Sequence, residues 1–401
     1  MSPSRTIIIA GAGIGGLTAA LALTRAGYRA VVLEQAARLE EAGAGIQLSP
    51  NATRVLFDLG LGERLRPHIV APDAIRIVDG ASGNDIVRIP LGAGAEQRYG
   101  APYWVIHRAD LQAVLAGAVA ENPDVTLRLG THVEDFALHQ HGVTVEARDV
   151  QSLHREPALH DEQGVALIGA DGLWSTLRAR LGDRRLPGFA KRTAWRAVVP
   201  AARLDREFRA TETSLWLGRD AHLVHYPVKA GREVNIVAIV HDNWNEAGWN
   251  APGRQGELSQ RLAGFAPQAR ALIAVPERWH KWALSDRAPG RPRAEGPVTL
   301  IGDAAHPMLP FLAQGGAMAI EDAAVLVRCL QRDEDLARGF RSYEGMRRHR
   351  VARAQREARR NASRYHYSGP LAFVRNAVLK WLGGEKLLHR YDWLYGWTAE
   401  K

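Results

Sequence analysis

The apolar pattern near the start of the chain changes period twice. Residues 6–10 form a short apolar run, residues 17–27 space their apolar positions as a helix does, and residues 29–33 return to a short run ending at Glu34. Short apolar runs bounded by turn residues read as buried strands, and apolar residues recurring at three- and four-residue intervals read as a helix. This stretch therefore predicts strand, helix, strand. The middle of the chain has another rhythm. Residues 194–200, 214–217, 223–228 and 234–240 are short runs of strand-forming residues separated by turn residues. No helix-length segment separates the last three, which predicts an antiparallel sheet. Residues 298–301 restart a buried strand, and 315–330 read as a long helix. Residues 371–401, rich in Trp, Tyr and Leu, read as helices packed on something else.

Between the first strand and the first helix stands Gly11-Ala-Gly13-Ile-Gly-Gly16. In a strand–helix–strand unit this spacing carries dinucleotide chemistry. Gly11 permits the tight turn, Gly13 lets the backbone approach a pyrophosphate, and Gly16 lets helix and strand pack closely. The helix N-terminus offers free N–H groups to the phosphates. Glu34 is placed to accept hydrogen bonds from a ribose hydroxyl pair. A 2′-phosphate beside that carboxylate would meet like charge, so the site suits FAD or NAD better than NADP. The expected fold is α/β: a Rossmann-like domain with an inserted antiparallel-sheet substrate domain and a C-terminal helical segment. The expected division is a discontinuous nucleotide-binding domain over 1–70, 101–180 and 291–350, a substrate domain over 71–100 and 181–290, and the helical segment over 351–401.

Composition narrows the function classes. The chain has 401 residues, 46% hydrophobic and 24% charged, ordinary for a folded globular protein and long enough for two or three domains. No apolar run approaches the ~18 residues of a membrane span, no secretory signal is recognisable, and a cytoplasmic location is expected. The single cysteine, Cys329, excludes an internal disulfide framework and a Cys-based zinc site; no metal site is expected. The formal charge of +9 raises the question of nucleic acid, but residues 347–360 alone hold seven Arg and one Glu. Without a stacking pattern or nucleic-acid module, that segment reads as a solvated helix face, with arginines 353, 356 and 360 on one side.

Three further motifs follow in order: His107-Arg108-Ala-Asp-Leu111, Ala166-Leu-Ile-Gly-Ala-Asp171-Gly172-Leu-Trp-Ser175-Thr-Leu-Arg178, and Leu300-Ile-Gly302-Asp303-Ala-Ala-His306-Pro307. Together with the N-terminal glycines they resemble the single-component FAD-dependent aromatic-ring hydroxylases, from about residue 5 to about residue 350. The resemblance implies a yellow enzyme holding FAD, with NADH, and NADPH as second choice, as a transient reductant. Its partners would be O2 and a small aromatic substrate, and a homodimer is compatible with it. Asp303 is expected at the hydroxyls of the ribityl or ribose chain, its plainer reading being a helix cap. Gly315 and Gly316 are expected to open a helix beside the flavin ring. Arg108 is expected to neutralise the pyrophosphate, and Asp171 to support the flavin and the nicotinamide, their plainer readings being a surface ion pair and a structural turn.

Within the family, the 3-hydroxybenzoate 6-hydroxylase branch is most similar. The likeness rests on Gly43-Ala-Gly-Ile-Gln47-Leu-Ser-Pro-Asn51, on Tyr99-Gly-Ala-Pro-Tyr-Trp-Val-Ile-His107-Arg108, on His222-Leu-Val-His225-Tyr226-Pro227, and on His306-Pro-Met-Leu-Pro310 with Gln314. Gln47 is expected near the cofactor; the branch that hydroxylates 6-hydroxynicotinate places a histidine there, which argues against a pyridine substrate. By the same likeness His222, Tyr226 and Gln314 take substrate-side roles. Alternation agrees: His222, Val224, Tyr226 and Val228 share one strand face, leaving His225 on the other as a structural residue. Alone, that face is either a polar pocket wall or a partly buried sheet face. The resemblance implies transfer of oxygen from a flavin C4a-hydroperoxide to a phenol whose proton His222 withdraws, with Pro307 shaping the wall. Competing readings keep the flavin fold without oxygenation, as in a halogenase or reductase, or reduce it to a non-enzymatic escort.

Overall fold

The computed structural model describes residues 5–39, 44–150, 159–246, 248, 250–290 and 294–400. Gly43, the first residue of one quoted motif, and residues 291–293 of the expected third nucleotide-domain segment lie outside them. The first strand, Thr6–Ala10, is the centre of a five-stranded parallel sheet, ordered Val298–Leu300, Ala166–Gly169, Thr6–Ala10, Arg29–Glu34, Val125–Leu129. Ile7, Ile8 and Ile9 are all 0% exposed, which explains why the run is unbroken rather than alternating. Ile7 and Ile9 pack toward the helix Ile14–Arg25, while Ile8 packs toward a three-stranded antiparallel sheet that covers the other face. That helix begins earlier than its apolar spacing suggests, because two of the glycines lie inside its first turn.

The second sheet has eight strands, ordered Ala251–Gly253, Trp279–Asp286, Gly188–Pro200, Glu233–His241, Ala221–Val228, Glu212–Gly218, Ala74–Asp79, Asp85–Pro90. The three runs between 212 and 241 are antiparallel neighbours, as their spacing predicts; one joint, Glu212–Gly218 with Ala74–Asp79, is parallel. One face carries Trp195, Trp216 and Leu223 against the helices Gln255–Arg261 and Pro267–Ala274. The opposite face carries Leu215, Leu217, Tyr226 and Val228 and meets the C-terminal helices.

Gly315–Arg332 is a helix packed against the first one, and Leu336–Arg364 is a long helix packed against it in turn. The basic stretch on this last helix is solvated at the three arginines expected to share a face, but not throughout. Arg353, Arg356 and Arg360 are exposed, but Arg347 is 4% exposed. Its guanidinium pairs with Glu321 at 2.5 Å and Asp322 at 2.6 Å, and Arg350 closes on Glu321 at 2.6 Å. Arg347 and Arg350, three apart, lie on one side of the helix and face the buried carboxylates, whereas Arg353 and Arg356 have turned to solvent. The C-terminal helices Gly369–His389 and Asp392–Tyr395 lie where the Trp-, Tyr- and Leu-rich composition predicts them. No described helix is long and apolar enough to cross a membrane.

Candidate active site

The three glycines of the first turn divide the work. Gly11 has φ +105°, and a Cβ there would sit 2.4 Å from the Ala170 carbonyl oxygen. A Cβ on Gly16 would sit 1.9 Å from the Gly11 carbonyl oxygen. Gly13 is different: nothing lies within 4 Å of where its Cβ would be, so its backbone borders open space at the helix start. Glu34 is anchored beside this loop. Its Oε2 accepts from the Ala12 N–H at 2.7 Å and its Oε1 from the Ala36 N–H at 2.9 Å. Each oxygen keeps acceptor capacity for a ribose hydroxyl.

A second group of residues approaches the same helix starts. A Cβ on Gly316 would come within 2.7 Å of Ile46 and 4.0 Å of Ile14, which joins the two helix N-termini. Gly302 has φ +58° and leads into Asp303, whose Oδ1 lies 3.9 Å from where a Gly315 Cβ would be. Asp303 is solvent-exposed and makes no capping bond, which removes the helix-cap reading. Crowding by protein atoms raises its carboxyl, while His306 and Arg108 pull the other way. Solvent at its open face favours the charged form, as His306 and Arg108 do. Arg108 begins the helix Arg108–Ala120 close enough to act on Asp303 electrostatically. Asp171 serves the turn with one oxygen: Oδ2 accepts from the Leu177 N–H at 3.1 Å. Its Oδ1 is buried without a partner, and burial raises the carboxyl. An open glycine, an anchored and an exposed carboxylate, and an orphaned acceptor fit FAD.

Along the strand Ala221–Val228, alternation holds. His225 faces the Trp195 side of the sheet, edge-on to Phe208, and burial lowers its imidazole to about 3. His222 and Tyr226 face the other way and are 2% and 3% exposed. The Tyr226 ring fills the space over Gly45, where a Cβ would meet it at 2.4 Å. Nearby, the Tyr103 hydroxyl donates to Gln47 Oε1 at 2.6 Å. Burial raises the phenols of Tyr226 and Tyr103, so both are hydrogen-bond donors at neutral pH. The His222 ring packs at 5.1 Å from Phe311 and 5.3 Å from Tyr365. Phe311 belongs to the turn Pro310–Leu312, immediately before the helix that begins at Gly315. The histidine thus stands against the segment that leads to the Gly315 helix start. Burial lowers its imidazole well below the usual range, helped by His366 and Arg192, so it is neutral at pH 7.

Two expected site residues have amide groups engaged within the protein. Gln47 faces the tyrosines, because its strand neighbour Ile46 takes the side toward the Gly316 helix start. Gln314 is 1% exposed, with both ends of its amide engaged: Nε2 donates to Ser49 Oγ at 2.9 Å and Oε1 accepts from Asn51 at 3.1 Å. Asn51 also donates to Glu321, so Gln314 joins the buried charge network and holds the helix start. Pro307 lends its carbonyl oxygen to Gln355 at 2.9 Å. Sequence reasoning missed Tyr103, Phe311, Tyr365 and His366. The last two lie beyond residue 350, where the motifs end, and only Tyr365-His366-Tyr367 as an aromatic cluster could have marked them. A cavity of about 80 Å³ lies beside His306 and Arg347 instead. The His222 imidazole and the Tyr365 phenol meet beside the turn Pro310–Leu312, which leads to the helix start at Gly315.

Comparison with known proteins follows the same lines. Residues 4–358 match the FAD binding domain family. The chain is 37% identical over 396 residues to the 3-hydroxybenzoate 6-hydroxylase of Polaromonas naphthalenivorans (strain CJ2), covering 98% of this chain and 96% of the relative. It is also 37% identical over 397 residues to a 3-amino-4-hydroxybenzoate 2-monooxygenase of Streptomyces platensis, with 98% and 96% covered. The solved substrate complex of a salicylate hydroxylase has the same fold, with TM-score 0.81 and 25% identity over 100% of this chain and 97% of that one. Motif order, sheet topology and relatives agree: the chain belongs to the FAD binding domain family, among its FAD-dependent aromatic hydroxylases.

Proposed function

We propose that the protein hydroxylates a phenolic aromatic acid, with 3-hydroxybenzoate the first candidate and salicylate the second, and that NADH serves it ahead of NADPH. The observation that carries this reading is His222: a neutral, buried imidazole on the face it shares with Tyr226, with no described hydrogen bond to Nε2. Gly11, Gly13 and Gly16 would admit the pyrophosphate of FAD, with Arg108 facing its charge. Glu34 and Asp303 would accept from its hydroxyls, and Asp171 and the Gly315–Gly316 helix start would border the ring. Bound FAD supplies the redox chemistry, taking electrons from NAD(P)H and activating O2 for electrophilic attack on the ring.

This chain's own residues do the rest. A phenol is a poor nucleophile until its proton is withdrawn, and His222 Nε2 accepts that proton. Tyr226 donates a hydrogen bond that orients the substrate's hydroxyl or carboxylate, while Tyr103, whose one proton goes to Gln47, offers only its oxygen as an acceptor. Gln314 acts indirectly, by holding the helix start at Gly315. Gln47 also weighs against the pyridine alternative, because its amide is committed to a tyrosine hydroxyl. The test is His222→Ala, assayed with NADH over a series of hydroxybenzoates. Hydroxylation should fall by about 10²–10⁴-fold at unchanged flavin content, while NADH oxidation persists without product. A product-to-NADH ratio equal to wild type would make His222 structural.

A further inference from the structure

We propose that His366 is the proton acceptor behind His222, so that two imidazoles form a relay leading from the substrate hydroxyl toward solvent. The proposal rests on the reading of His222 as the base.

The geometry begins with one contact. His222 Nδ1 and His366 Nε2 are 2.9 Å apart, with the rings 5.1 Å apart and tilted by 44°. A single proton occupies that bond, so only two arrangements exist for neutral rings. If His366 donates, His222 carries its own proton on Nε2 and cannot accept from a substrate. If His222 donates through Nδ1–H, its Nε2 is free to accept, and His366 carries its proton on Nδ1. His366 therefore decides whether His222 is a base. Catalytic histidines are commonly oriented by a carboxylate or a carbonyl; here the partner is a second imidazole.

The surroundings explain why a relay is needed. Phe311 and Tyr365 flank the pair. The groups that act on the pair are Arg192, His241 and Arg375, with the Tyr365 phenol packed against it; the carboxylates of Asp220 and Asp79 act on Arg192 and Arg375 in turn. Burial and the groups acting on the pair lower both imidazoles, His366 to about 3. A proton resting on His222 would create a buried cation facing Arg192. Relay avoids this. The substrate O–H bond breaks as the Nε2–H bond forms on His222. At the same time the His222 Nδ1–H bond breaks and an Nε2–H bond forms on His366. The His366 Nδ1–H proton then leaves to water. His222 is 2% exposed, whereas His366 is only partly buried, so the path runs outward. His366 acts through His222 and is a positioning and relay residue.

The test uses FAD-loaded full-length protein with 3-hydroxybenzoate and NADH, comparing His366→Phe and His366→Gln with His222→Ala. His366→Phe should keep FAD content and NADH oxidation but lower the product-to-NADH ratio at pH 7 at least tenfold. That loss should recover as pH rises toward the phenol's own pKa near ~10, because the substrate then ionises unaided. Glutamine accepts from Nδ1–H but passes no proton on. His366→Gln should therefore keep the His222 tautomer, read by ¹⁵N chemical shift, and still lose coupling. A wild-type ratio in His366→Phe, beside a loss in His222→Ala, would overturn the relay and leave the base assignment standing. Wild-type ratios in both would overturn the base assignment itself. If the phenylalanine variant fails to fold, a ¹⁵N shift showing wild-type His222 protonated on Nε2 overturns the relay.

Discussion

Replacing Arg347 by Met removes the cation that two fully buried carboxylates share. Glu321 and Asp322 are both 0% exposed, and Arg347 meets them at 2.5 and 2.6 Å. Breaking a buried ion pair by removing one partner costs about 3–5 kcal/mol, because a desolvated charge is left behind. The cost falls at the low end here. Glu321 keeps Arg350 and Asn51, and Asp322 keeps the Gly302 N–H at 2.8 Å and His306 at 2.6 Å. With an unfolding entropy of about 2.1 cal/mol/K per residue, a loss of about 3 kcal/mol in a 401-residue chain lowers Tm by about 3–4 °C. The pH dependence is the sharper part. Burial opposes ionisation of Asp322, yet His306 and Arg347 hold its carboxyl down to about 2. A depressed carboxylate contributes stability above its unfolded pKa of ~3.9, and that contribution is lost as pH falls toward the folded value. The gap between wild type and Arg347→Met should therefore be constant from pH 7 to 5 and narrow by about 1 kcal/mol near pH 3. Calorimetry of both proteins, with exposed Arg348→Met as the neutral control, measures this. A Tm loss below 1 °C, or a gap that ignores pH, would refute the assignment of Arg347 to these carboxylates.

Glu34→Ala should weaken FAD binding about 10–100-fold, since charge-assisted hydrogen bonds carry roughly 1.5–3 kcal/mol; flavin fluorescence titration of the apoprotein reads it, and an unchanged Kd contradicts the ribose role. Gly13→Val should abolish FAD binding while leaving the apoprotein's melting curve in place, because its Cβ enters open space. Gly16→Ala should lower the melting temperature of the apoprotein itself, its Cβ falling 1.9 Å from the Gly11 oxygen; the two melts side by side separate ligand space from packing. Stability should decline as pH falls from ~6.5, because His225, lowered to about 3 by burial, stays neutral in the fold but protonates when unfolded. The slope it contributes is about 1.4 kcal/mol per pH unit, and urea midpoints of His225→Leu between pH 7 and 5 should be flatter by that amount.

Local rules made much of this protein legible in its sequence. The period of the apolar positions reported the first strand, the helix after it and the three antiparallel runs between 212 and 241, because that period follows from how each backbone conformation aims its side chains. The glycine spacing and Glu34 were legible for the same reason: turn, helix start and acidic strand end lie within 35 residues. Alternation placed His222 and Tyr226 on one face and His225 on the other. What only the tertiary structure decided is who meets whom across the chain. Arg347 and Arg350 carried the same charge in the sequence as Arg353 and Arg356. They turn inward because Glu321 and Asp322 stand on the neighbouring helix, a partnership that no local pattern encodes. The amide of Gln314 finds its partners in Ser49 and Asn51, more than 260 positions away. His366 acquired meaning from a histidine 144 residues earlier. Periodicity is a property of one segment, whereas a buried charge or a proton path is a property of two, and only folding brings the second one in.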